Sequence, residues 1–291
     1  MQKGFNWLLL LCLTALLCVP ALADERIVIE PEKGLWEYET EGLKITVVRK
    51  QDDSIPLIWF EAELFCSEEN PLVAVIKNPK KKSSTFHAPD VMARANRLVF
   101  AINDDYYGDR IYNKETPGII IRGGKLLYYK TYQSGNKWLP NLDTMALFPD
   151  GTLKVYESNE ISSREYMEMG VTDVFAFGPV LVRDGEVNAR LETMHLETEP
   201  RVAFGIVEPY HYVCVITEGR HDNSKGVSCF DLAKMIKGMG ATEALNLDGG
   251  QTAALVFMGE KINMTGMFNN RSRIRNLSSM LGAGVSDSVP E

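Results

Sequence analysis

Short apolar bursts divided by turn-forming residues run through most of the chain. GLKITVV (42–48) and IPLIWFEAELF (55–65) alternate or stay apolar over strand-like lengths, and LVAVIK (72–77) adds another before the basic cluster NPKKKSS (78–84), read as a solvated loop. PDVMARANR (89–97) reads as a short helix leading into a buried strand, LVFAIN (98–103). PGIIIRGGKLLYY predicts a β-hairpin turning at Gly123-Gly124, and MALFPDGTLKVY predicts one turning at Pro149-Asp150-Gly151. SSREYMEMG carries the start and stop signals of a capped helix ending at Gly170. DVFAFGPVLVRDGEV contains a further strand and a turn at Asp184-Gly185.

The segment from Arg201 to Phe257 is richer. RVAFGIV and HYVCVITEG are strand-like, the second from about Tyr212 to Thr217. SCFDLAKMIKGMG follows as a helix, with Ser228 placed to cap it and Asp231 three residues on. Phe230, Leu232, Met235, Ile236 and Met239 recur at helical spacing, so one face should pack on a sheet. EALNLDGG then supplies a strand ending at Asp248. Strand, helix, strand predicts a parallel βαβ unit near residues 212–248. The expected fold class is therefore α/β in the broad sense of mixed α+β. It comprises a central mixed sheet with flanking helices, that parallel unit and several β-hairpins.

In such units ligands gather beyond the carboxyl ends of the strands. Those ends carry Glu218-Gly219-Arg220-His221 and Asp248-Gly249-Gly250-Gln251. Two carboxylates, an arginine and three glycines thus meet at one sheet edge. Glycine lets a ligand approach the backbone N–H groups, and arginine offers a planar fork suited to phosphate or carboxylate. Arg201 is a second candidate cation, with a surface ion pair as the alternative. Asn103-Asp104-Asp105-Tyr106-Tyr107 closes another buried strand, either as a third wall of the pocket or as an Asx turn.

Composition narrows the partners. The chain has 291 residues, 45% hydrophobic and 24% charged, the profile of an ordinary folded protein. A formal charge of −8 argues against nucleic acid, whose phosphate backbone attracts basic faces. Lys3, the apolar run from Trp7 to Val19 and Ala21-Leu22-Ala23 form the pattern of a secretory signal peptide over residues 1–23. That run is too short to span a bilayer, so export to the envelope or beyond is expected, with no membrane span after processing. Without the leader, 30 basic residues face 39 acidic ones. Residues 24–85 read as a strand-rich part of the same domain as residues 86–286. Cys66, Cys214 and Cys229 remain, read as packed thiols, because an odd count permits at most one internal disulfide. The four histidines show no metal spacing, and only His221 lies near the proposed site.

AINDDYYGDR, PGIIIRGGKL, FAFGPVLVRDGEV, EPRVAFGIV, the block from ITEGR to LNLDGGQTAALVF and the terminal RIRNLSSMLG resemble, in that order, the phosphodiester glycosidase family. The similarity spans roughly residues 90 to 285. It implies a secreted hydrolase that cuts between the anomeric carbon of a sugar and a phosphodiester, with a phosphorylated carbohydrate as its partner. The family's motifs fall on Asn103, Asp105, Arg201, Gly219-Arg220, Ser224, Gly226 and Asn246-Leu247-Asp248-Gly249-Gly250. Asp104 stands where the family usually has Gly, Glu218 where Asp is common, and Gln251-Thr252 where Gly-Ser is common.

A phosphodiester leaving group is a weak base and needs little acid assistance. The demanding tasks are holding that anion and stabilising an oxocarbenium-like centre. Arg201, Arg220 and N–H groups near Gly249 and Gly250 are expected to bind the phosphate. Asp248 is then nucleophile or general base, and Glu218 the other acid/base group. Asn103, Asp105 and Gln251 would read sugar hydroxyls, and Ser224 and Asn246 complete the substrate-binding set. No cofactor is required, although Asp104, Asp105 and Asp248 offer hard oxygen ligands for Mg²⁺ or Ca²⁺, the basis of a rival metal-dependent phosphoesterase reading. A second rival is a non-catalytic polysaccharide-binding module of the same fold.

Overall fold

The computed structural model describes residues 24–76, 86–105, 118–130, 142–264, 266–269 and 271–291. The leader-like segment, the basic cluster at 78–84 and Tyr106-Tyr107 lie outside them. Three main sheets make the fold. The largest has nine strands, in the order Arg26–Glu30, Leu35–Thr40, Leu43–Asp52, Leu57–Phe65, His211–Thr217, Val202–Glu208, Glu243–Leu247, Val180–Arg183 and Glu186-Val187. A second sheet of five runs Leu153–Tyr156, Asp143–Leu147, Asp173–Phe177, Gly118–Arg122, Lys125–Lys130. The third, also of five, runs Glu260-Lys261, Leu255–Phe257, Leu98–Ile102, Ser279–Val285, Leu72–Ile76.

Every strand pairing among the described residues is antiparallel. This overturns the expected central mixed sheet with a parallel βαβ unit. His211–Thr217 and Glu243–Leu247 do run in the same direction, but Val202–Glu208 lies between them and pairs antiparallel with both. The tight turn at Pro209-Tyr210 lets Val202–Glu208 fold back onto His211–Thr217 and occupy the edge that a parallel partner would need.

The apolar runs misled for a physical reason. Continuous burial is the mark of parallel strands, which are covered on both faces. Here antiparallel strands are covered on both faces too. Val202, Phe204, Cys214, Ile216, Leu245 and Leu247 of the large sheet face a shared core with Phe100, Ile102, Met145, Phe175 and Leu281 of the other two sheets. Ala203, Val213, Val215 and Ala244 point the other way, beneath Leu232, Ala233 and Ile236 of a helix.

Three α-helices occur among the described residues: α1 (Pro89–Ala95), α2 (Ser163–Met169) and α3 (Cys229–Gly238). Each covers the outer face of one sheet, α1 the third, α2 the second and α3 the large one. The local signals fold as their chemistry dictates. Ser162 and Glu165 close a capping box on α2, and Gly170 ends it with a left-handed φ of 72°. Ser228 accepts the Asp231 amide at the start of α3. The hairpins turning at Gly123-Gly124, Pro149–Gly151 and Asp184-Gly185 all form. Cys66, Cys214 and Cys229 are free thiols, and burial pushes Cys66 up to about 12 and Cys229 up to about 11. No helix among the described residues is long and apolar enough to cross a membrane.

Candidate active site

Glu218, Asp248 and Arg201 lie at one edge of the large sheet because two strands end there and the antiparallel strand between them begins there. The loop after Thr217 folds back on Glu199 through a mutual pair of backbone hydrogen bonds between Glu199 and Val227, each 3.1 Å. Within that fold Gly219 packs on Gly226, and a Cβ on Gly226 would meet the Glu199 carbonyl at 2.3 Å with φ at +85°. Gly226→Ala should therefore destabilise the fold by about 2 kcal/mol or more, from strain and clash together. Urea unfolding measures this, and a loss under roughly 0.5 kcal/mol would show that the loop yields instead.

Arg220 is a half-buried cation of the site. It is a non-glycine residue at φ 64°, the kind of backbone outlier that persists where surroundings over-determine it. Its Nε donates to Glu199 Oε2 at 2.5 Å. Its guanidinium lies against Gly250, where any Cβ would sit 3.0 Å from Nη2 and 3.2 Å from Nη1. Gly249 is held as closely on its other side, since a Cβ there would meet the Pro200 carbonyl at 2.5 Å. The glycine pair after Asp248 is thus a consequence of close packing between Arg220 and the Pro200 backbone. The Gly250 amide donates to Pro200 O (2.7 Å), so that N–H is directed into the protein and not toward an anion.

Asp248 is 7% exposed; its amide donates to Asp104 O (3.3 Å) and its carbonyl accepts Asn103 Nδ2 (2.6 Å). Glu218 is 2% exposed. One carboxylate oxygen accepts the Met264 amide (2.6 Å), and the other stands 3.4 Å from His221 Nε2, which has no hydrogen-bond partner among the described residues. Burial pushes the nearby Lys261 amine below its ordinary value, with the Glu218 charge opposing that shift.

Several of the sequence-predicted residues brace the site through the backbone. Arg201 donates from Nε to Val227 O and from Nη2 to Glu197 O, both 2.9 Å. Ser224 is fully buried, accepting the Ile58 amide (3.1 Å) and donating to Glu218 O (2.8 Å). Asn246 donates to Gly178 O (2.8 Å), while its buried Oδ1 has no hydrogen-bond partner among the described residues. Gln251 is half-buried and donates to Arg273 O (3.0 Å).

The segment Asn103–Asp105 is a junction of all three sheets. Asn103 accepts the Ala254 amide (2.9 Å) besides binding Asp248 O. Asp104 accepts from Ser279 Oγ (2.7 Å) in the third sheet, and Asp105 from the Ala176 amide (2.7 Å) in the second. Arg122 Nη2 binds both carboxylates, lying 3.2 Å from Asp104 and closer still to Asp105. Arg122 also donates to Val174 O and stacks 4.0 Å from the Phe175 ring centre. Burial alone would lower its pKa, but the carboxylates of Asp105, Asp104 and Asp173 more than offset this and hold it raised. With Asp104 and Asp105 turned onto a guanidinium, their donor set does not fit a divalent cation, and no described cluster of His, Cys, Asp or Glu does so.

Sequence reasoning missed Glu199, Arg122 and Arg275, whose Nη1 donates to Thr252 Oγ1 (3.1 Å) beside the glycine turn. The one available signal was Arg122, the single charge ending an apolar burst.

Residues 96–283 match the profile of the phosphodiester glycosidase family. The SPbeta prophage-derived uncharacterized protein YomE of Bacillus subtilis (strain 168) is 30% identical over 175 residues, 59% of this chain and 26% of that protein. The chain thus spans about a quarter of that relative's length. Among solved structures, the zebrafish N-acetylglucosamine-1-phosphodiester alpha-N-acetylglucosaminidase catalytic domain, auto-inhibited by its pro-peptide, superposes with a TM-score of 0.62 at 20% identity, covering 83% of this chain and 82% of that one. A hypothetical protein from Synechocystis gives 0.56 at 15% identity, over 85% and 63%. At these identities the likeness is one of fold.

Proposed function

The chain belongs to the phosphodiester glycosidase family, and from that premise we propose that it is an exported hydrolase releasing a sugar from a sugar-1-phosphodiester in an extracellular phosphoglycan. The observation that carries this reading is the packing of the Arg220 guanidinium on the glycine turn that follows Asp248. Glu199 takes only the Nε–H, so the Nη1 and Nη2 hydrogens lie at the surface of that turn, fit to bind two oxygens of the departing phosphate. Asp248 then serves the sugar face, as nucleophile or as general base toward water. Glu218, fixed by the Met264 amide and facing His221, is the other acid/base group. Asn103, Asp105, Arg201, Ser224 and Asn246 act by fixing these walls, and Gln251 lies on the turn within reach of sugar hydroxyls. The leader-like pattern of residues 1–23 supports export.

A panel of UDP-sugars and simple sugar-1-phosphodiesters tests the reading. Free reducing sugar should appear and EDTA should leave its rate unchanged. Release of sugar phosphate in place of reducing sugar, or loss of activity with EDTA, would establish a metal-dependent phosphoesterase. Binding of a phosphoglycan with no product would establish a non-catalytic module.

A further inference from the structure

Arg271, Arg273 and Arg275 fall within five residues: Arg271 lies on a short strand pair beside the glycine turn, and Arg273 and Arg275 follow it. Met267-Phe268 pairs with Arg271-Ser272, and the chain beyond is fastened to the turn itself. Gln251 Nε2 donates to Arg273 O (3.0 Å), the Arg275 amide to Gln251 O (3.4 Å), and Arg275 Nη1 to Thr252 Oγ1 (3.1 Å). Arg271 and Arg273 are exposed. Elsewhere Arg26, Arg94, Arg97, Arg183, Arg190 and Arg220 each face a carboxylate, yet no ion pair among the described residues includes Arg271 or Arg273. The Arg273 guanidinium instead lies 6.0 Å from the ring centre of Phe268, itself exposed. In a chain with an excess of acidic residues, two uncompensated guanidiniums on the lip of a site form a local positive field that bulk charge conceals.

We propose that this hairpin is a second anion subsite, on the leaving-group side of Arg220, which selects substrates whose aglycone carries a further phosphate. This rests on the hydrolase reading of the same site. An uncharged hexose offers these cations nothing, so beside such a sugar the cations beyond the first phosphate position act on the aglycone. Two chemistries present such a charge, a diphosphate and a chain of repeating phosphodiesters. Planar guanidinium forks suit either. Because both side chains are exposed, the contribution is to substrate capture and falls as salt is raised.

The test uses the Arg271→Gln/Arg273→Gln double variant, neither residue belonging to the proposed catalytic set. Calorimetric titration compares orthophosphate, pyrophosphate and a short glycerol-phosphate oligomer at low salt. The wild-type protein should bind one or both of the multiply charged ligands at least about tenfold more tightly than orthophosphate, and the double variant should lose that preference. Preference for pyrophosphate alone identifies a nucleoside-diphosphate type of aglycone, and preference for the oligomer alone a polymeric one. In turnover, the KM for the multiply phosphorylated substrate should rise about tenfold with kcat held, while a methyl phosphodiester of the same sugar is unaffected. An unchanged preference, or equal weakening toward all ligands, overturns the subsite. So does loss of binding to phosphatidylcholine vesicles containing phosphatidylglycerol with anion discrimination intact, since the hairpin would then serve a lipid surface. If no sugar is released from any substrate, the hydrolase reading falls and the titration still decides the subsite.

Discussion

Asp248→Asn should reduce release of reducing sugar from a sugar-1-phosphodiester by roughly a thousandfold or more in kcat, with KM changed only a few-fold. The substitution is close to isosteric, and two backbone hydrogen bonds help to hold this position. Asn103 binds its carbonyl and its amide binds Asp104 O, so both survive in the variant. Arg220 stays packed on Gly250, so the side proposed to hold the phosphate is left in place. What disappears is the negative oxygen that, in the proposed reaction, attacks the anomeric carbon or draws a proton from water. Circular dichroism and a thermal melt establish that the fold is retained, and a reducing-sugar assay reads the loss. Retention of more than a tenth of the wild-type rate would remove Asp248 from the chemistry.

Arg122→Met is expected to be the most damaging single change to stability. Arg122 is buried, and its loss removes its guanidinium from the buried carboxylates of Asp104 and Asp105. Breaking a buried pair in this way costs about 3–5 kcal/mol, a large share of the 5–15 kcal/mol that holds a typical domain together. Asp173 makes matters worse, since burial already raises its pKa and the Arg122 charge is the main influence lowering it. The sign with pH follows. Without Arg122 the Asp173 carboxyl is raised further above its ordinary value in the folded chain, so the folded variant binds more protons once pH falls below that raised value. The deficit is therefore fully developed at neutral pH and shrinks as pH falls toward the ordinary aspartate range. Urea midpoints at neutral and mildly acidic pH measure it, and a gap between variant and wild type that is the same at both would contradict the assignment.

What could be read from the sequence was local. The capping box of α2, the Gly170 stop and the turns at Pro149–Gly151 and Asp184-Gly185 depend on residues a few positions apart, and each forms as its chemistry requires. Strand partners were not legible. Val202–Glu208 shows an unbroken apolar run because α3 covers one of its faces and the shared core the other, and such a run carries no record of direction. At the site, Arg220 and the Asp248-Gly249-Gly250 turn were legible because strand ends collect there. Glu199 was not, because it meets Arg220 only when the intervening hairpin closes. Arg201 and Ser224 have the polarity of ligand-binding groups, but both satisfy backbone atoms of the fold. Polarity at a sheet edge identifies residues that must be bonded, and it leaves open whether the partner is substrate or protein.

The three-sheet junction also bears on how this chain can change length over evolution. Asn103, Asp104 and Asp105 are consecutive, yet their side chains answer to the Asp248 turn, to Ser279 and to Ala176. Inserting or deleting one residue there shifts three sheets out of register together. This tripeptide thus acts as a fixed ruler against which the rest of the chain is measured.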